Sequence, residues 1–349
     1  MNVIKPGYEI LEIPEPENEL EVLKHLERIG RVCYKSEEKI DYQSCVKFIK
    51  NIRDRKHWAM LEHYIFVFEV PTEIFQDIFS PARFTIDNYD LIDKLSFIRG
   101  SYYFEVDTEA GTTDTHCIVS ASATALNYIW EAIGDDKPAY SVLQLCHFMM
   151  DKFPELMKDP SPDATKTYVY DERIRFISRE ELENMPKEIR MIHDSMSVKF
   201  TVDRGVTHEL VRHRVCSWAQ ESTRYCNYSN GKFGQEITVI EPCFFDSTTE
   251  GYDKSTKTMW RRACKVSENE YLSLIKFGAK PQEARSVLPN SLKAEIVMTA
   301  RMIEMHHFFK MRADKAAHPQ MREVVVPLLK ECIENDPTIF GDLADMLSE

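Results

Sequence analysis

The sequence lacks the cysteine pattern of a metal site or of a disulfide framework. It has nine cysteines, none of them in a Cys-x-x-Cys pair, and its cysteines and histidines do not follow the spacing of zinc ligands. We therefore expect no metal site and a reducing, cytoplasmic compartment. The first residues lack the apolar core of a signal peptide, and no run reaches the length of a membrane-spanning helix.

Positive charge is also scarce. The 349 residues include 44 Lys and Arg against 57 Asp and Glu, which gives a formal net charge of −13. This balance argues against general nucleic-acid binding, which needs a basic face. The contents of 43% hydrophobic and 29% charged residues are typical of a soluble globular protein with one large domain or two ordinary ones. Basic residues clustered within so acidic a chain favour a small anionic ligand.

The densest group of hydrogen-bonding and anion-binding side chains lies between residues 207 and 228. Apolar residues alternate with polar ones over 198–202, which predicts a strand with one buried face. A glycine then breaks the pattern, and Thr207 is predicted to cap a short helix over 207–214. Residues 215–229 show no clear period and predict a loop that presents side chains.

Three consecutive charged residues, Arg212, His213 and Arg214, end this predicted helix. Successive helical side chains point roughly 100° apart, so the three cannot all face one small ligand. They address different groups or line a junction between ligands or subunits. Arginine matches phosphate with a planar fork, whereas glutamine and serine suit amide-like edges such as those of a pyrimidine. A solvated, charged helix end with a polar loop remains the alternative interpretation.

The spacing of this segment resembles the signature of the flavin-dependent thymidylate synthases. In that signature Arg-His-Arg is followed by seven residues and a serine, and Arg-Tyr begins two residues after the serine. The lead-in sequence DRGVTHELVRHR is also similar to the family, and the resemblance covers residues 31–70 and 198–325. Members methylate dUMP to dTMP with 5,10-methylenetetrahydrofolate as carbon donor, NADPH as reductant and FAD as hydride carrier. The matching residues here are Arg212, His213, Arg214, Ser222, Arg224 and Tyr225.

The resemblance implies two sets of binding residues and a homotetramer whose subunits share sites. It also implies that Arg312 is catalytic, because it holds the pyrimidine in its electron-rich, ionised form. The dUMP set comprises Glu209, Arg212, Gln220, Glu221, Ser222, Thr223, Arg224, Arg285 and Arg312. The FAD set comprises His57, Arg212, His213, Arg214, Gln220, Arg301 and His307.

A second segment resembles the family around His57, which stands five residues before the Glu62-His63 pair. In the family this segment lies near the flavin. Members often carry Ser or Thr two residues after that histidine, whereas this chain has Ala59. A hydroxyl contact to FAD is therefore lost here. Glu62 and His63 can equally be structural.

A further departure precedes Arg312. Many members have Asn-x-Arg eleven residues upstream of the last arginine, where this chain has Arg301 and Ile303. Flavin contacts there are expected to be made differently. Two alternatives stay open. One is a related enzyme that transfers a hydroxymethyl group to the same nucleotide, which the sequence does not exclude. The other is a nucleotide-binding regulator without catalysis, which the departures at Ala59, Arg301 and Ile303 keep open.

The cysteines are not expected to supply a nucleophile, because the family resembles the cysteine-dependent synthases only in product. Cys216 and Cys226 lie inside the signature, and Cys243 follows a proline. Free cysteines are most often small packed apolar groups. We therefore expect all three to be dispensable for turnover.

The sequence predicts an α+β fold, with a mixed sheet flanked by long helices and a flavin-dependent thymidylate synthase-like core. Residues 1–76 and 196–349 are expected to form the catalytic domain, and residues 77–195 a large, mostly helical insertion of unknown role. Strands are predicted over 64–70 and 236–240, a loop over 108–115 and a linker over 159–163. The helices are predicted over 19–30, 41–53, 126–133, 141–153, 180–196, 252–277 and 292–311.

Overall fold

The computed structural model describes residues 1–41, 43–79, 98–107, 112–133, 141–157, 169–245 and 254–347. Within these ranges the strands are β1 (Asn2–Ile4), β2 (Gly7–Leu11), β3 (Ile65–Val70), β4 (Arg99–Asp107), β5 (Thr112–Ser122), β6 (Arg175–Phe176), β7 (Ser195–Asp203), β8 (Ser217–Gln220), β9 (Thr238–Ile240) and β10 (Lys293–Arg301). The helices are α1 (Glu19–Val32), α2 (Ser44–Asp54), α3 (Thr72–Phe79), α4 (Ala123–Ile133), α5 (Ser141–Lys152), α6 (Arg179–Glu183), α7 (Lys187–His193), α8 (Arg204–Leu210), α9 (Lys254–Lys276), α10 (Pro281–Ala284), α11 (Met302–Arg312), α12 (Pro319–Asn335) and α13 (Pro337–Phe340). This mixture confirms the α+β class.

The chain divides into two compact units. The first comprises residues 1–11, 30–38 and 197–349, and the second comprises residues 12–29 and 39–196. Much of the segment expected in the catalytic domain, up to residue 76, therefore belongs to the same unit as residues 77–195. The interpretation of 77–195 as an insertion stays a prediction.

The first unit is built on a four-stranded sheet of order β2-β7-β10-β8, beside a parallel pair of β1 and β9. β2 runs antiparallel to β7, and β8 runs antiparallel to β10. β7 and β10 occupy the centre of the sheet and are buried along most of their length. The predicted strand over 198–202 is confirmed, although more of β7 is buried than one face alone would give.

The prediction of a single long helix over 292–311 is wrong. The first part of this segment is β10, and a helix, α11, begins only at Met302. β10 is buried on both faces from Ile296 to Ala300. A strand buried on both faces has a continuous apolar run without alternation, so its pattern resembles that of a buried helix.

The second unit contains an antiparallel sheet of order β4-β5-β3-β6. Its core includes one face of β3 together with α1, α2, α4 and α5. Besides its helices, the described part of 77–195 contains β4 and β5, which are nine and eleven residues long, so it combines strands with the expected helices. The prediction of a loop over 108–115 is wrong for residues 112–115, which begin β5, and residues 108–111 lie outside the described ranges. The predicted linker over 159–163 also lies outside them.

Most other helix predictions are confirmed within a few residues, as for α1, α2, α4, α5 and α9. The helix predicted over 180–196 is instead divided into α6 and α7 around Pro186, before β7 begins. Gly278 follows α9 with φ +98°, and the backbone N–H of Ala279 donates to the Leu274 carbonyl at 2.9 Å. This is the glycine-dependent helix end that the sequence predicts. Among the described helices, none combines the length and the apolar character that a membrane crossing needs.

Candidate active site

The Arg212-His213-Arg214 sequence lies in the turn after α8. The cap of this helix is Asp203, whose Oδ1 accepts a hydrogen bond from the backbone N–H of Val206 at 2.7 Å. The prediction that Thr207 is the cap is wrong, because Thr207 is buried within the helix and donates to the Arg204 carbonyl at 3.0 Å. The helix thus starts and ends several residues earlier than predicted.

β8 lies inside the segment predicted as a loop over 215–229. Its residues pair with β10, so that Gln220 stands opposite Ile296 and Trp218 opposite Met298. The Gln220 amide donates from Nε2 to the Thr207 hydroxyl at 2.9 Å. The alternation of β8 is too short to detect, since only four residues pair. β8 joins the signature segment to the central sheet.

Arg312, at the end of α11, is held by Glu209 of α8 and by His213 in the turn after that helix. Its Nε donates to Nε2 of His213 at 2.9 Å, Nη1 donates to the Glu209 carboxylate at 3.0 Å, and Nη2 donates to the Glu209 carbonyl at 3.0 Å. A guanidinium has five N–H groups, so two remain without a bond to the described residues. The Arg312 side chain is 16% exposed. The cluster therefore offers a fixed, partly used fork to a ligand.

The His213 ring is electrically neutral in this cluster at neutral pH. Burial, followed by the positive charge of Arg312 and the proximity of His307, lowers the pKa of His213 to about 4. Because Nε2 accepts from Arg312, the proton of the neutral ring is assigned to Nδ1. The ring also packs against Phe308 with centroids 5.1 Å apart. His213 thus orients Arg312 without adding charge.

A buried carboxylate, Glu221, fixes the middle of the signature segment. Its side chain is 1% exposed and accepts hydrogen bonds from Nζ of Lys293 at 2.8 Å, the Tyr228 hydroxyl at 3.3 Å and the backbone N–H of Glu295 at 3.3 Å. The Glu221 carbonyl accepts from Arg204 at 3.2 Å. With its carboxylate so engaged, Glu221 is placed to position its neighbours rather than to touch dUMP through its side chain.

The charged network continues to a second carboxylate, Glu295. Lys293 binds it at 3.1 Å and Lys35 binds it at 2.5 Å. Burial alone raises the pKa of Glu295, but Lys293 and Lys35 outweigh it and hold the pKa below its usual range. Lys35 lies in the sequence RVCYKS of residues 31–36, and the backbone N–H of Ser222 donates to the Cys33 carbonyl of the same sequence at 3.0 Å. The network therefore ties three separate chain segments together.

A basic cavity of about 360 Å³ opens beside this network. Its lining includes Arg204, His208, Thr223 and Arg285, and Nη1 of Arg285 donates to the Thr223 hydroxyl at 3.3 Å. Arg204 and His208 were missing from the predicted site, although both lie in the DRGVTHEL lead-in. The cavity is suited to an anion, because arginine side chains match phosphate geometry.

Comparison with known proteins gives a match to the family model "Thymidylate synthase complementing protein" (Thy1) over residues 171–338. These residues, called the Thy1 region below, make up a little under half of the chain. It is similar to the flavin-dependent thymidylate synthases of Geobacter sulfurreducens (30% identical over 40% of this chain and 57% of the relative), Pyrococcus furiosus (29%, over 46% and 66%) and Corynebacterium glutamicum (33%, over 40% and 58%). The matches thus span between half and two thirds of the length of these relatives.

The Thy1 region carries several predicted residues at its surface. Arg212, Arg214, Arg224 and His307 are exposed, while Ser222 is half-buried. The Arg224 guanidinium lies 5.6 Å from the ring centroid of Tyr225. Arg301 is half-buried at the start of α11. Exposed apolar residues lie in the same segments, and they are Val211, Val215, Ile303 and Met311.

His57 lies outside the Thy1 match, in the second compact unit. It is exposed and precedes a short 3-10 helix, Trp58–His63. Ala59 is exposed, whereas His63 is fully buried, which fits a structural role for His63. The assignment of His57 to FAD stays a prediction.

The cysteines of the Thy1 region have little thiolate character. Burial raises the pKa of both Cys216 and Cys226 to about 12, and burial followed by the charge of Glu323 raises the pKa of Cys243. Only the thiolate is a strong nucleophile. This environment is consistent with the expectation that none of the three is catalytic.

We predict that Lys293→Met lowers the free energy of unfolding by about 3 kcal/mol, because it leaves the buried Glu221 carboxylate without its cation. Adding Glu221→Gln should restore at least about 1 kcal/mol of this loss, since the uncompensated charge is then removed. Urea unfolding of the two single variants and the double variant measures this coupling. Lys232→Met, which breaks an exposed pair with Glu38, is the control and should cost less than about 1 kcal/mol. Strictly additive effects of the two substitutions would contradict the network.

We also predict that His213 titrates near pH 4 in the folded protein, against an ordinary value of 6.5. Between these values the unfolded chain binds a proton that the folded chain does not, so His213 reduces stability as the pH falls through this window. Arg312→Met should raise the pKa of His213 without restoring 6.5, because burial persists. NMR titration of the imidazole ring measures the midpoint, with Lys310→Met on the exposed side of α11 as control. A wild-type midpoint near 6.5 would refute the assignment.

Proposed function

We propose that this chain is an FAD-dependent thymidylate synthase that methylates dUMP to dTMP with 5,10-methylenetetrahydrofolate and NADPH. The observation that carries the proposal is the Arg312–Glu209–His213 cluster within a Thy1 region. The three similar proteins named above are called flavin-dependent thymidylate synthases. A flavin-dependent thymidylate synthase-like fold is proposed with it.

The nucleotide would be held by groups that the first unit brings together. Arg285, Arg204 and His208 line the basic cavity and suit its phosphate. The two remaining N–H groups of Arg312 suit the pyrimidine oxygen and nitrogen acceptors. The other proposed dUMP contacts are Glu209, Arg212, Gln220, Ser222, Thr223 and Arg224, with Glu221 as their positioning residue.

Arg312 would supply the electrostatic part of the chemistry. Methylation at carbon 5 of uracil requires an electron-rich ring, and a fixed cation at the ring oxygen stabilises the negative charge that develops there. Glu209 and His213 hold the guanidinium in place before the substrate arrives, so little reorganisation is needed. Because the nearby thiols have raised pKa values, attack on the ring by a cysteine is disfavoured.

FAD fits the exposed side of this cluster. The arginines Arg212 and Arg214 suit its pyrophosphate, and His307 and Gln220 can hydrogen-bond to it. The exposed apolar residues Val211 and Ile303 suit its flat ring. When bound, FAD would carry the hydride that completes the methyl group.

The exposed surface around Arg212 and Arg214 favours an oligomer. Val211, Val215 and Met311 are 40%, 64% and 53% exposed within the segments that carry the site. Apolar side chains grouped at a surface commonly mark an interface. We propose a homotetramer in which neighbouring subunits complete each site.

We predict that Arg312→Ala lowers dTMP formation by about 100-fold or more, as expected for the loss of one electrostatic stabiliser. Arg312→Lys should rescue only part, because a point charge does not reproduce the planar fork. Both variants should keep the flavin absorbance bands and oxidise NADPH without dUMP. The measurement is dTMP production with the product identified by mass, which also detects a hydroxymethylated nucleotide.

The control for Arg312 is Lys310→Ala, an exposed cation on the same helix. It should form dTMP at the wild-type rate. A near-normal rate in Arg312→Ala would remove Arg312 from the mechanism. Wild-type protein that neither binds FAD nor forms a methylated or hydroxymethylated nucleotide would overturn the proposed function itself.

We further predict that two inactive variants, Arg212→Ala and Ser222→Ala, regain activity when their subunits are mixed and reassembled. If the two residues serve one site from different chains, some sites in the mixed oligomer contain both native residues. Turnover of the mixture is compared with each variant alone, and the mass of the assembly is measured by light scattering. A fully active monomer at working concentration would contradict shared sites.

A further inference from the structure

The second unit contains a cavity of about 340 Å³ on one face of its sheet. The strand register places Glu69 opposite both Ile118 and Arg175, and Tyr103 opposite His116. Paired residues project to the same face of a sheet, and residues two apart on a strand do as well. All five side chains therefore line the cavity, each reaching it from one of four neighbouring strands.

The apolar part of this cavity is continuous with a small core. Ile118 and Ile177 belong to a cluster of buried apolar residues. The partly buried residues Met185 and Tyr103 pack against that cluster. These four residues form the apolar and aromatic part of the cavity lining. A volume of this size lies at the lower end of the range for small-molecule sites, about 300–1,000 Å³.

The polar part of the cavity carries more negative than positive charge. Glu69 contacts His116, and it also binds Arg175 at 2.5 Å. Arg175 in turn binds Glu181 at 2.8 Å, so one guanidinium serves two carboxylates. Glu180, a third carboxylate of the lining, is exposed at the mouth of the cavity and has no ion-pair partner among the residues that the structure describes.

The lining therefore contains three carboxylates and one arginine, so its net charge stays negative even when His116 is protonated. An anionic ligand is disfavoured, because Arg175 and His116 already face carboxylates. The lining offers a cation the Glu180 carboxylate and the Tyr103 ring, and both kinds of group attract positive charge.

We propose that this cavity binds a small organic cation, a primary amine carried on an apolar or aromatic body. The ammonium group lies near Glu180 and the Tyr103 ring, and the body packs on Ile118, Ile177 and Met185. The site belongs wholly to the second unit, so it stands or falls independently of the thymidylate synthase proposal.

The test titrates the full chain with phenethylamine and with 2-phenylethanol, which has the same body and no charge. The methyl resonances of Ile118, Ile177 and Met185 report binding by NMR. We expect the amine to shift these three resonances and to bind at least about threefold more tightly than the alcohol, as for a partly exposed charge pair. Equal affinity for the two compounds, or no shift of these methyls by millimolar amine, overturns the proposal.

Two variants and one control locate the binding. Glu180→Gln should weaken the amine by about two- to fivefold and leave the alcohol unchanged. Met185→Trp should abolish binding of both compounds, because the larger side chain fills the cavity. Glu183→Gln removes an exposed carboxylate from the same helix outside the cavity and should change neither affinity. Unaltered amine binding in both Glu180→Gln and Met185→Trp would place the ligand elsewhere and refute the site.

Discussion

The ion pair between Glu221 and Lys293 is the interaction on which the rest of the candidate site depends. A carboxylate that is 1% exposed is tolerated only when donors surround it, and Lys293, Tyr228 and the Glu295 N–H do so. Lys293 begins β10, and the same strand runs on into α11, which ends with Arg312. The signature segment and the last arginine are therefore anchored to one central strand.

The Arg312 side chain is preorganised by its protein partners. Arg312 has one hydrogen bond to His213 and two to Glu209 without any ligand, so its position is set by the protein. The neutral His213 ring lets a cation stay close to an imidazole without repulsion. The two carboxylates, Glu209 and Glu221, have different tasks. One orients the arginine proposed to act on the substrate, and the other fixes the backbone that presents the remaining contacts.

Three residues that the sequence singled out lie together in the fold, whereas part of the secondary structure around them was predicted wrongly. The spacing between Arg212 and Arg224 can be read directly from the sequence. The fold brings Glu209, His213 and Arg312 together. The burial of β10 on both faces removes the alternation that identifies a strand, so residues 292–301 mimic a helix. Lys35 and Lys293 were not predicted as members of a network, because an ion pair between distant segments has no periodic signal. Their partners are set by strand register and by tertiary packing.

The path from Lys293 to Arg312 has a further consequence for how chains of this kind can change in length. Nine strand residues advance about 30 Å and eleven helical residues about 16 Å. The number of residues in β10 and α11 therefore sets the distance between Lys293 and Arg312. Deleting one residue within β10 would turn every following side chain of the strand to the opposite face. It would also rotate α11 about its axis relative to the sheet. Insertions and deletions are therefore tolerated in surface turns such as residues 230–235, whereas between Lys293 and Arg312 they would disrupt the candidate site.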